Sequence, residues 1–154
     1  MTLPISARVA RLRAGTDDTL LLRLPSGFAV LNQNQPPAVR GACLLVPDPV
    51  VGGVHDLAPA ARTQFFLDLS LLGDAVYAAV SAERVNYLVL CNVVPELHGH
   101  CVPRFATEDP ESRRRGPFEA YDFARAPATD AGGADRGLRD RIRAELARLC
   151  AARG

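Results

Sequence analysis

Short, strongly apolar runs alternate along the chain with proline- and glycine-bearing breaks, a pattern that predicts a compact α+β domain. Residues 19–24 and 28–33 are β-prone runs separated by Pro25-Ser26-Gly27, turn chemistry that predicts a hairpin. A proline-rich connection, Gln35 to Arg40, leads to Ala42-Cys43-Leu44-Leu45-Val46, wholly apolar as a buried central strand is, and closed by Pro47 and Pro49. Pro59 suits the first position of a helix, and Phe65, Leu69, Leu72, Val76 and Val80 recur at helical spacing to about Ser81, giving a stripe that covers one face of a sheet. Asn86 to Val94 then reads as a strand, nearly continuously apolar and expected to be buried on both sides. It should pair antiparallel with the segment that follows Pro95. Residues 106–117 and 124–137 read as loops or flexible connection, and Leu138, Ile142, Leu146 and Leu149 mark an amphipathic C-terminal helix. The expected organisation is a domain over 1–125, with 126–154 as a connection and terminal helix of the same unit.

That last strand carries the candidate chemistry. Glu96-Leu97-His98-Gly99-His100-Cys101-Val102-Pro103-Arg104 places two of the three histidines two residues apart. On a strand they project from one face, with Glu96 beside them and Leu97, Gly99 and Cys101 behind. Neutral imidazole is a nucleophile near pH 7 and its protonated form donates, so paired histidines suit phosphoryl chemistry. Two alternatives remain open: a plain polar strand face, or a metal site using His98, His100 and Glu96. Zinc normally takes about three or four protein ligands, and His55 joins only if the fold returns it.

Composition narrows the field. With 48% hydrophobic residues among 154, the chain can bury a core of ordinary size. Eighteen basic residues, all arginine, face 17 acidic ones, which argues against a broad basic surface for nucleic acid and leaves arginine as the side-chain cation for an anion. A P-loop is excluded because its lysine is missing. Cys43, Cys91, Cys101 and Cys150 form no Cys-x-x-Cys pair and read as buried thiols of a reducing compartment. No apolar run is long enough to span a bilayer, and residues 1–15 lack a secretion-signal stretch, so a soluble, cytoplasmic protein without a membrane partner is expected. Arg8, Arg11 and Arg13 read as solvated residues of a short surface helix, with a transit peptide as the alternative.

The 96–104 segment resembles the signature of the histidine-triad superfamily, His-x-His-x-His followed by apolar residues and often Pro-Arg, with Glu96 where the first histidine stands. The resemblance covers about residues 20–106. Gly41-Ala42-Cys43-Leu44-Leu45-Val46-Pro47 is similar to the family's Gly-x-φ-Leu-φ-φ-Pro strand, Asp56-Leu57-Ala58-Pro59 to its Leu-Ser-Pro helix start, and Asn92 stands where members often carry asparagine. The accessory Pro-x-x-His is replaced by Pro47-Asp48-Pro49-Val50, and the connection before the motif is cut to Val93-Val94-Pro95. The resemblance implies a nucleotide-binding hydrolase in which His98 attacks the α-phosphorus and becomes a nucleotidyl-imidazole, oriented by the backbone carbonyl two residues earlier. His100 would touch phosphate, Asn34 would hold ribose hydroxyls or cap a loop, and Arg104 would contact phosphate or close an ion pair. Glu96 would repel phosphate unless protonated, turned aside or bridged by a cation. Arg113, Arg114 and Arg115 read as a surface charge run or an anion-binding flap. No cofactor is implied, and a homodimer is expected. The rival readings are a nucleotide-binding or regulatory protein without turnover, and a metal-dependent hydrolase.

Overall fold

A computed structural model describes residues 3–154. Five antiparallel strands, β1 (Leu20–Leu24), β2 (Gly27–Leu31), β3 (Cys43–Pro47), β4 (Arg84–Leu88) and β5 (Gly99–Arg104), form one sheet in the order β1-β2-β3-β5-β4. The hairpin lies where the proline-glycine turn predicts it, and β3 is buried throughout between β2 and β5.

Helix α1 (Ile5–Arg13) precedes the sheet, and the long α2 (Pro59–Val80) enters between β3 and β4 with Pro59 in its first turn. Short α3 (Pro110–Arg113) and α4 (Pro117–Ala120) follow β5, and α5 (Arg136–Ala152) ends the chain. One sheet face is covered by α2 and α5 through Phe65, Leu69, Leu72, Val76, Ile142 and Leu146, all buried. The other packs Phe28, Val30, Leu44 and Val46 against Ile5, Val9 and Leu12 of α1. Further along that face, Val102 of β5 packs with Val39 and Ala42 in a third cluster, against which Leu88, Tyr121 and Phe123 lie.

Four sequence expectations are corrected. The apolar run 86–94 is not a doubly buried strand: β4 starts earlier, ends at Leu88 and lies at the sheet edge, with Tyr87 47% exposed. Past it the chain turns away at Cys91, whose φ of 54° is left-handed, so Leu90, Asn92, Val93 and Val94 line a cavity, and of these Val94 also packs against the core beside α1. Arg8 is not solvated. It lies among the apolar residues of α1 at 2% exposure, because Asp17 and Thr19 supply polar partners under the helix. Residues 106–117 are ordered by α3, α4 and the buried Arg104 rather than forming a free loop. Nor do residues 126–129 hang loose: Gln35 N–H donates to the Pro127 carbonyl at 2.9 Å, Thr129 N–H to that of Gln33 at 2.8 Å, and Asn34 bridges Ala128. Backbone pairing thus compensates for a composition with little to bury.

Candidate active site

Position 99 explains why the histidines stand where they do. A Cβ there would lie 2.8 and 2.9 Å from the two Leu69 methyls and 3.3 Å from Phe65 Cζ, so glycine lets α2 press directly against β5. Behind the site Cys101 also faces α2, its thiol donating to the Leu69 carbonyl at 3.4 Å. His98 and His100 take the opposite side, rings edge to face with centroids 4.9 Å apart.

His98 is buried, and its Nδ1 lies 2.7 Å from the Glu96 carbonyl oxygen. A carbonyl only accepts, so Nδ1 carries the proton and the neutral ring holds its lone pair on Nε2. The Cys91 thiol donates to the His98 carbonyl at 3.6 Å, tying the cavity loop to the same strand. His100 packs its ring against Phe118 at 4.8 Å, and Phe118 against Phe123 at 4.7 Å. Burial, reinforced by His98, pushes the His100 pKa down to about 3. His100 therefore acts at neutral pH as an uncharged hydrogen-bonding group, not as a cation.

These rings border a cavity of about 400 Å³. Leu44 and His100 lie on its sheet side, with Ile5 and Arg8 of α1, residues 32–34, the loop 90–94 and Phe118, Phe123 and Ala124 around it. Among its described lining residues Arg8 is the only charged one.

Glu96 does not line the cavity. Its Oε2 accepts the Ser6 N–H at 3.0 Å, and this bond at the start of α1 holds the carboxyl below its ordinary pKa. Of the three ways past phosphate repulsion, the carboxylate is turned aside. Asn34 borders the cavity while its amide donates to the Ala126 carbonyl at 2.9 Å, so the loop-capping contact is made. Asn92 borders it from the opposite loop.

Arg104 is corrected as a phosphate contact. It is buried and paired with the buried Glu108 at 2.9 Å, and it also donates to Asn86 Oδ1 and the carbonyls of Ser112 and Arg115. Arg113 pairs with Glu83, and Arg113–Arg115 border a different surface depression beside β4. His55 sits in a single 3₁₀ turn, Val54–Asp56, outside the lining. Among the described residues no three His, Cys, Asp or Glu side chains gather to hold a metal, so the triad His98, His100, Glu96 does not converge on one point.

Arg8, Phe118 and Phe123 were not anticipated at the site. Arg8 had a legible signal: Ile5, Arg8, Val9 and Leu12 share one helical face, which puts a guanidinium among buried positions. The two phenylalanines carry no such pattern in a polar, proline-rich stretch.

A family model of the HIT domain matches residues 14–107, from just before β1 to just after β5. The chain belongs to the HIT family. Solved structures of HIT proteins share its fold. A histidine triad protein from Bradyrhizobium japonicum is 22% identical, with a TM-score of 0.67, over 89% of this chain and 95% of that one. One from Sinorhizobium meliloti is 23% identical, with 0.67, over 87% and 93%. A histidine triad nucleotide-binding protein from Sulfolobus tokodaii, described as hypothetical, is 13% identical, with 0.69, over 92% and 91%. No curated protein sequence matches. The HIT-domain match spans the sheet and α2, and leaves α1 and the 117–125 segment, two walls of the cavity, outside it. No helix of the described residues is long and apolar enough to cross a membrane.

Proposed function

We propose that this HIT-family chain binds a nucleotide in the 400 Å³ cavity and cleaves it at the α-phosphorus through His98. The observation that carries the reading is the 2.7 Å contact between His98 Nδ1 and the Glu96 carbonyl. It fixes the tautomer whose Nε2 lone pair is free to attack, and the carbonyl steadies the positive ring that forms. In the first step Nε2 bonds to phosphorus while the bond from phosphorus to the leaving group breaks. The leaving group departs with that electron pair and is protonated from solvent. In the second, water attacks phosphorus and gives up a proton to solvent, the P–N bond returns its electrons to Nε2, and a nucleoside monophosphate leaves. His100, held neutral, supports a phosphate oxygen through a ring N–H, and Asn34 and Asn92 border the sugar and phosphate path. Hydrolysis is preferred to transfer because water needs no second substrate site.

A rival reading keeps binding without turnover, and the Glu96 carboxylate, committed to α1 where the family carries histidine, favours it. Intact mass spectrometry after an acid-free quench with a dinucleoside polyphosphate or a nucleoside phosphoramidate separates the two. Wild type should gain one nucleotidyl group and the His98→Ala protein none. Turnover that persists in His98→Ala overturns the proposal, and binding with neither adduct nor turnover supports the rival. We also infer a two-fold homodimer, supported by exposed Phe66 and Tyr77 on the outer side of α2 and Tyr87 on β4. Light scattering at micromolar concentration should give twice the chain mass.

A further inference from the structure

We propose that Arg8 reads the base of the bound nucleotide and selects a purine carrying an oxo group at C6 over adenine. This rests on the nucleotide reading above and names the substrate class within it.

Three observations support it. First, Arg8 lines the cavity yet its residue is 2% exposed, and no acidic residue shares the described lining. Second, its hydrogen bonds are one-sided. Nη2 donates to Thr19 Oγ1 at 2.8 Å and to the Leu31 carbonyl at 2.7 Å. Nε lies 3.5 Å from Asp17 Oδ2 and is buried without a hydrogen-bond partner. Nη1 makes no hydrogen bond to the described residues, so a donor is left for a ligand. An anchor for α1 alone accounts for Nη2 and Asp17 but not for a guanidinium set at a cavity wall with unused donors. Third, its position suits the base. Val30, Leu44 and His100 form one row across β2, β3 and β5, and Leu31, whose carbonyl holds Arg8, is next to Val30. Two inter-strand spacings, roughly 10 Å, therefore separate Arg8's anchor from the histidine strand. That is about the reach from a phosphate oxygen held by His100, across ribose, to a base, and Asn34 borders the same cavity.

Guanidinium has donors and no acceptor. A C6 oxo group offers it a lone pair beside the N7 acceptor, the edge arginine reads in guanine, whereas the amino group of adenine presents another donor. A buried donor left unmatched makes discrimination steep, since the protein forgoes a charge-assisted bond at a guanidinium that is itself buried.

The test compares inosine, guanosine and adenosine 5′-monophosphates by calorimetry on the full-length wild-type protein, since hypoxanthine differs from adenine at C6 and the attendant N1 proton while sugar and phosphate are identical. The inosine and guanosine nucleotides should bind at least tenfold more tightly than the adenosine one. In Arg8→Gln the ratio should collapse towards one. If that variant does not fold, the wild-type ratio decides alone. Equal or tighter binding of the adenosine nucleotide overturns the role of Arg8 and leaves the nucleotide reading standing. Binding of none of the three overturns both. A variant that weakens all three equally, with the ratio kept, marks Arg8 as an anchor of α1 and overturns the proposal.

Discussion

Gly99→Ala tests the contact that positions the histidines. The added methyl would sit 2.8 and 2.9 Å from the Leu69 methyls and 3.3 Å from Phe65 Cζ. Carbon pairs favour about 3.5–4.0 Å, and Leu69 and Phe65 are buried with little room to retreat. Gly99 does not have a positive φ, so the substitution reports on packing rather than backbone strain. Overpacking of this kind costs about 1–3 kcal/mol, offset by about 0.4–1 kcal/mol because alanine narrows the unfolded ensemble. Leu69→Ala alone should cost about 2–5 kcal/mol through the cavity it leaves. Together they should cost less than their sum, by about 1–2 kcal/mol, because the new methyl enters the space Leu69 vacates. Urea unfolding followed by far-UV circular dichroism gives all four corners of this cycle. Additivity within about 0.5 kcal/mol would refute the account of why glycine separates the two histidines.

Other outcomes follow from the same geometry. His100, with its pKa near 3, should show no ring titration by NMR between pH 8 and 5. The unfolded chain takes up that proton near pH 6.5, so the stability tied to His100 should fall as pH drops from there towards 3, and His100→Gln should flatten that limb. Arg104→Ala should cost about 3–5 kcal/mol by stranding buried Glu108, and a urea midpoint close to wild type would count against the pairing. Asp48 is held near pKa 2 chiefly by Arg13 and also by Arg23, against its own desolvation. Its contribution should be complete above about pH 4 and lost through pH 2, so Asp48→Asn should be destabilised at pH 7 and converge on wild type in acid melts.

Where local pattern and tertiary role agree, the chain was readable. Pro59 followed by the Phe65-to-Val76 stripe specifies a helix whose buried side needs a sheet, and β3 has no polar residue to place outside. His98 and His100 share a face because strand geometry alternates, whatever lies around them. Periodicity could not separate a doubly buried strand from an edge strand running into a cavity wall, because both are apolar, and residues 86–94 are the second. Nor does residue type reveal burial when the partners are distant: Arg8 is inside because Asp17, Thr19 and Leu31 meet it, and Arg104 because Glu108 and two carbonyls do. Glu96 reads as a phosphate problem in one dimension and as a partner of α1 in three, across 90 residues.

The backbone pairing of residues 127–129 with 33–35 bears on how the protein is made. The Asn34 rim of the cavity is pinned by a segment that emerges from the ribosome more than 90 residues after it. Contacts of such high sequence separation form late, after the loop-closure entropy between them has been met. The HIT-domain residues can collapse around α2 during synthesis, but the cavity beside the histidines gains its Phe118, Phe123 and Ala124 wall only when the last fifth of the chain arrives to hold it. A chain ending before residue 126 would thus lack the backbone partners that pin the Asn34 rim, and the end of synthesis sets when the site is completed.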